Sequence, residues 1–326
     1  MKYGNKAIGL QDLVEGFLFS LQAEGRAPRT HEYYDKLLRH FLYYAKSQGW
    51  PEQVDLLDTR RVRQFLSWIS SRSYEYVAGN GSRRFTKSKP SMAWPYYKAL
   101  RRLFNWGVEE GFLQESPIKG IHFKAPPLPP VQPYDLEELK RFFAICELGI
   151  KTGARFTGLR NKAMLLVFID SGLRLSEQAH LRLGDLNLEQ RWVRVVGKGN
   201  KIGICPFSAK TAKAIWLYLL ERKHRAKSDA LWVTEEGRQF SVGGLSSSFV
   251  YLKKRAGVNS QGRVHRLRHT SVLQYLRGAK DSFLLQLFLR HESLEMSRRY
   301  TQGLKQEEAI EAHRNGASPV EGLGLG

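Results

Sequence analysis

The chain of 326 residues carries 52 Lys and Arg against 31 Asp and Glu, a formal net charge of +21, with 42% hydrophobic and 25% charged residues. Its length suggests two domains, its composition is that of a globular chain able to bury a core in each, and its charge points to a polyanionic partner, with nucleic acid ahead of an anionic membrane surface. The longest apolar stretch, Ala163 to Ile169, is too short to cross a bilayer, and the start MKYGNKAIG has no apolar signal segment, so the chain is expected inside the cell and away from membranes.

Helical spacing of apolar residues runs from Leu10 to Trp106, in LVEGFLFSLQ, YYDKLLRHFLYYA and VRQFLSWI, and predicts four helices. Pro28 and Thr30 open the second, Gly49-Trp50-Pro51 closes it, Asp58 or Thr59 caps the third, and the fourth runs from about Met92 to Glu110. Between the third and fourth, SRSYEYVAGNGSRRFTKSKPS is rich in Gly, Ser and basic residues. It reads as a long surface loop that gathers Arg83, Arg84, Lys87 and Lys89. Proline-rich KAPPLPPVQP, residues 124–133, reads as a semi-rigid linker. It divides a helical domain over 1–123 from a second domain over 134–314, and the glycine-rich end, 315–326, is expected to be a flexible tail.

Beyond the linker, helices are predicted from Asp135 to Leu148, from Leu159 to Ser171 and, with Ser176 as cap, from Glu177 to Leu183. RWVRVV, a turn at GKGN and KIGICPF then read as a β-hairpin. Helices resume from Thr211 to Arg225, Val242 to Ala256, His265 to Arg277, Asp281 to Leu289 and Leu294 to Tyr300. The expected fold class is therefore mainly α with a small β-hairpin, an α+β chain.

Five segments of the second domain carry cationic or nucleophilic groups: SGLRLSE with Arg174, VVGKGNK with Lys198, VHRLRHT with His265 and Arg268, FLRHES with His291, and SRRYTQ with Tyr300. Each alone has an ordinary reading. Arg174 could start a helix and pair with Glu177, Lys198 could decorate a hairpin tip, and Tyr300 could be a packing tyrosine. His265 and His269 stand four apart on one helix face, but HRLRH holds two arginines where a zinc-protease motif holds glutamate, so no metal is expected there. His265 and Arg268 would share a face, with His269 as a packed structural histidine. Cys146 and Cys205 are far apart and outside any CxxC pattern, which gives no disulfide framework and no cysteine-rich zinc site; both read as core residues.

In order and spacing, these five segments together resemble the tyrosine recombinase family, which includes Xer-type chromosome resolvases and phage and transposon integrases. The resemblance spans most of the chain. It implies a helical DNA-clamping domain followed by a catalytic domain with Arg174, Lys198, His265, Arg268, His291 and Tyr300 as its catalytic residues. Tyr300 would attack a backbone phosphate and form a covalent 3′-phosphotyrosine link, with Arg174 and Arg268 holding the phosphate oxygens, His265 as base, Lys198 as acid and His291 as a hydrogen-bond donor. No cofactor, metal or ATP is expected.

Double-stranded DNA at specific recombination sites is the implied partner, held by a homo-oligomer, a tetramer in the synaptic complex. Arg83, Arg84, Lys87, Lys89, Lys98, Arg102 and Lys201 are the expected phosphate contacts. LKQEEAIEAH, after Tyr300, is the segment that could pass to the next subunit. The chain is expected in the cytoplasm with the nucleoid, serving a mobile element or DNA resolution. Two departures stand out: the family usually writes glycine where this chain has Arg290, and the segment around Arg83 is long for the family. A type IB-like topoisomerase and a catalytically idle, sequence-specific DNA-binding protein are the alternatives.

Overall fold

The computed structural model describes residues 8–77, 83–88, 90–127, 132–197, 202–279 and 282–290. The chain packs as two units, Met1–Leu128 and Pro129–Gly326, which part within the proline-rich segment.

In the first unit, α1 (Leu10–Ala23), α2 (Pro28–Ser47), α3 (Thr59–Ser71) and α4 (Ala93–Glu109) turn their apolar faces to a shared core. Pro28 stands in the first turn of α2, where its missing N–H costs nothing. Asp58 caps α3 by accepting the Arg61 backbone N–H at 2.8 Å, an interaction worth about 1 kcal/mol. At the centre, the Phe41 ring meets Phe65 edge-on at 5.0 Å and Phe104 at 6.1 Å.

The segment expected as a surface loop is instead an antiparallel hairpin of β1 (Ser73–Val77) and β2 (Arg83–Lys87), paired from Ser73 with Lys87 to Val77 with Arg83. Tyr74, Tyr76, Val77, Phe85 and Thr86 are good strand formers, and they outweigh the Gly, Ser and basic residues around them. The Ser88 N–H donates to the Arg72 carbonyl and closes the hairpin base against the end of α3.

The second unit opens with α5 (Leu136–Lys151), whose start is fixed by a reciprocal pair. Asp135 accepts the Glu138 N–H at 2.7 Å, and Glu138 accepts the Asp135 N–H at 3.1 Å. Next comes α6 (Arg155–Ser171), which begins earlier than its predicted start at Leu159. Gly158, the residue just before that start, lies inside the helix, and a Cβ there would stand 2.7 Å from the Cys146 carbonyl oxygen. Glycine lets α5 and α6 cross at close range.

After α6, α7 (Leu175–Ala179) is shorter than the helix expected through Leu183, and Arg174 rather than Ser176 occupies its capping position. A three-stranded antiparallel sheet follows: β3 (Leu186–Asn187), β4 (Trp192–Val196) and β5 (Ile202–Pro206), in that order. The short β3 adds one strand to the expected hairpin. Helices α8 (Ala209–Arg222), α9 (Val242–Arg255), α10 (His265–Ala279) and α11 (Ser282–Leu289) complete the described part of the unit.

Phe142, Phe168, Tyr218, Trp232 and Leu267 lie in its main core, where Cys146 and Cys205 are also buried free thiols. A smaller cluster of Val272, Leu276, Leu285 and Leu289 joins α10 to α11. Among the described residues no helix is long and apolar enough to cross a membrane. The helix expected from Leu294 to Tyr300, the LKQEEAIEAH segment and the tail lie outside the described residues.

Candidate active site

Gly172 ends α6 in the left-handed conformation, at φ +59°, and turns the chain into α7. A Cβ on Gly172 would meet the Ser271 hydroxyl at 3.1 Å and the Phe288 ring at 3.2 Å, so both the turn and the close approach of α10 and α11 require glycine. Two residues later Arg174 caps the start of α7, with 40% of its side chain exposed.

Glu177 holds Arg174 in two ways. Its carboxylate accepts the Arg174 backbone N–H at 2.7 Å and the Arg174 guanidinium at 2.8 Å. Its side chain is 5% exposed, and it also accepts from the Arg290 guanidinium at 3.1 Å. Burial would push the Glu177 carboxyl up, but the Arg174 backbone N–H, the Arg290 guanidinium and the Arg174 side chain together bring it below its ordinary value. Glu177 is therefore a buried carboxylate shared by two arginines.

Arg268 comes from α10 and is 3% exposed. Its guanidinium donates to the Gly172 carbonyl oxygen, 96 residues away in the chain. The turn that presents Arg174 thus also receives Arg268. His265, at the start of α10, is exposed, and its ring lies edge-on to His269 with centroids 4.6 Å apart, while His269 is buried. Between them, Arg266 has a structural role: it donates to the Pro133 carbonyl at 2.8 Å, pairs with buried Glu138 at 3.2 Å and lies 4.3 Å from the Tyr134 ring centroid.

A cavity of about 570 Å³ opens beside Arg174, lined by Ser176, Glu177, His180, Arg194 and Gly197. A cavity of about 820 Å³ in the first unit, near Asp55, Asp58, Glu115 and Lys119, is larger but holds none of the motif residues. Chemistry rather than size selects the first, because a phosphate needs the exposed guanidinium. Among the described residues no cluster of three His, Cys, Asp or Glu side chains is arranged to hold a metal ion.

Arg290 follows the last residue of α11 and has φ +54°. A side chain costs about 1 kcal/mol in this left-handed region, which explains the usual glycine there. Its guanidinium reaches Glu177, the Cys205 sulfur and the Phe288 carbonyl. Burial pushes the Cys205 thiol up to about 11, against the opposing pull of Arg290 and Arg268, so the sulfur stays protonated at neutral pH.

Lys198 and Lys201 fall between β4 and β5, outside the described residues, as do His291 and Tyr300. Of the candidate phosphate contacts, Arg83 is exposed on β2, and Arg84 and Lys87 are in the same strand. Lys98 is exposed on α4 with its ammonium 5.7 Å from the Trp94 ring centroid, and Arg102 lies 3.7 Å from Glu24. Lys89 lies outside the described residues. The site residues that sequence reasoning missed are Arg290 and, as a shared carboxylate, Glu177. The only signal for Arg290 was the family's glycine at its position.

The mainly helical unit with its arginine-bearing turn is of a class suited to binding an anionic phosphate, and comparison places it. Residues 134–307 match the model of the phage integrase family. The chain is 29% identical over 272 residues to the tyrosine recombinase XerC of Shewanella sp. (strain ANA-3), a match covering 81% of this chain and 83% of that one. Among solved structures, the Tn1549 transposon integrase in complex with a circular intermediate DNA matches with a TM-score of 0.70 at 14% identity, covering 94% of this chain and 99% of that one. A lambda integrase tetramer bound to a Holliday junction matches with a TM-score of 0.67 at 16% identity, covering 93% and 80%. The chain belongs to the phage integrase family and is a tyrosine site-specific recombinase.

Proposed function

We propose that this chain cuts and rejoins double-stranded DNA at specific sites, with Tyr300 as the nucleophile and Arg174, Lys198, His265, Arg268 and His291 as its catalytic partners. The observation that carries the reading is the turn at Gly172 to Arg174, which presents one guanidinium and receives a second from α10. The family match supports it, because residues 134–307 contain all six positions.

Transesterification places growing negative charge on the non-bridging oxygens of a five-coordinate phosphate. Arg174 and Arg268 supply the compensating charge, the part that divalent cations play in many phosphoryl-transfer enzymes. The Tyr300 hydroxyl oxygen bonds to phosphorus as its proton passes to His265, and the bond to the 5′ oxygen breaks as Lys198 protonates it. One phosphoester replaces another, so the 3′-phosphotyrosine link retains the energy for rejoining and ATP is not needed. His291 donates a hydrogen bond to the phosphate.

The chain divides into a DNA-binding domain over 1–123, a linker over 124–133, a catalytic domain over 134–314 and a tail over 315–326. Arg83, Arg84, Lys87, Lys89, Lys98, Arg102 and Lys201 bind phosphates and supply affinity rather than chemistry. Four protomers synapse two DNA sites, in the cytoplasm at the nucleoid, for a mobile element or for DNA resolution. The lambda integrase tetramer on a Holliday junction supports this assembly by likeness of fold.

The test uses a nicked suicide duplex, from which the cut strand escapes, carrying whatever sequence the purified chain protects in the DNA flanking its own gene. The parent chain becomes covalently attached to it. Tyr300→Phe binds the same duplex with no covalent species, and an adduct trapped by that variant overturns the assignment.

A further inference from the structure

Glu177 serves two cations rather than one. Its Oε1 accepts from Arg174 at 2.8 Å, and its Oε2 accepts from Arg290 at 3.1 Å, across 113 residues of sequence. All three groups sit at one place: Arg174, partly exposed, and Glu177, 5% exposed, line the cavity, and Arg290, 17% exposed, reaches Glu177. A buried carboxylate with one arginine would cancel that arginine's charge and hold it firmly. A second arginine on the other oxygen leaves the trio with a net positive charge.

Arg290 is built into this position. The backbone there adopts a left-handed conformation that suits glycine, yet the side chain is threaded past β5. A Cβ on Gly203 would stand 2.2 Å from Arg290 Cδ, so the strand leaves a slot for the stem of that arginine. At the end of the slot, Cys205 sulfur and the Phe288 carbonyl accept from the same guanidinium nitrogen. This fixes the fork that faces Glu177.

We propose that Arg290 is a positioning residue for strand cleavage: by sharing the Glu177 carboxylate it sets where Arg174 points and how much of the Arg174 charge remains for a phosphate. The inference deepens the recombinase reading and rests on it. Arg290 does not touch the reacting atoms; it acts through Glu177 on Arg174.

The experiment compares single-turnover covalent attachment, at saturating protein, to the nicked suicide duplex that the parent chain cleaves. Arg290→Gly suits the backbone conformation and keeps the fold, which its melting temperature checks. Its attachment rate falls by about tenfold or more, while its DNA affinity stays within about threefold. Arg290→Met also slows attachment, and adding Glu177→Gln to it restores part of the rate, because a neutral amide no longer withholds the charge of Arg174. A merely structural arginine gives no such recovery. Attachment by Arg290→Gly at the parent rate, or a double variant slower than Arg290→Met alone, overturns the proposal. No adduct from the parent chain would instead remove the recombinase reading, and the inference with it.

Discussion

Two arginines four residues or fewer from one another can have opposite duties, and burial partners tell them apart. Arg266 and Arg268 share the HRLRH segment, but Arg266 is spent on Pro133, Glu138 and Tyr134, whereas Arg268 reaches the Gly172 carbonyl beside Arg174. Glu177 links the stability of this region to its charge. Its carboxyl is held below the ordinary value of 4.5, against the effect of burial, by the Arg174 backbone N–H and the two guanidiniums. A lowered folded-state value means that the carboxylate stabilises the fold above its unfolded value and that this contribution disappears as pH falls through the folded one. Glu177→Gln should therefore melt below the parent at pH 6, with the gap narrowing as pH falls below the ordinary carboxylate range and through the lowered folded value. Thermal melts across that range provide the check, and a gap that stays constant with pH contradicts the account.

At the scale of elements, the hairpin of β1 and β2 carries basic residues of the first unit. Arg83 is exposed on it, Arg84 follows in the same strand, and Phe85 has 77% of its surface exposed. Replacing Arg83 and Arg84 with alanine should weaken binding to all duplexes alike and flatten the salt dependence by about one unit of slope per lost phosphate contact. Fluorescence titrations at several salt concentrations test this; unchanged affinity and slope would remove the hairpin from the interface. The helices were legible in the sequence because their apolar stripes are long, as in α2 and α4, and their starts carry signals such as Pro28 and Asp58. The hairpin was not, since its strands offer five residues of alternation each inside a segment dominated by Gly, Ser and basic residues. Likewise, Arg174 and Arg268 were readable through motif resemblance, but the joint grip of Arg174 and Arg290 on Glu177 was not. A contact across 113 residues leaves no periodic trace.

For the whole molecule, a charge of +21 set against the few fixed guanidiniums of the proposed site predicts that affinity and rate respond differently to salt. If the proposed phosphate contacts bind DNA, each displaces counterions, and the binding constant should fall steeply with salt. With six to ten phosphate contacts the loss between about 50 and 200 mM salt is roughly 10³-fold to 10⁵-fold. In the proposed mechanism the covalent step depends instead on guanidiniums fixed by protein partners, Arg268 at the Gly172 carbonyl and Arg174 at Glu177. Charges held close together and partly buried are screened much less than exposed ones. Once protein is in excess at every salt concentration, the single-turnover rate of attachment to the suicide duplex should accordingly change by less than about threefold over the same range. The two measurements are made on one preparation. Should the rate at saturation fall in step with affinity, the charge that drives cleavage would have to be the diffuse charge of the surface, not the fixed arginines at the turn from Gly172 to Arg174.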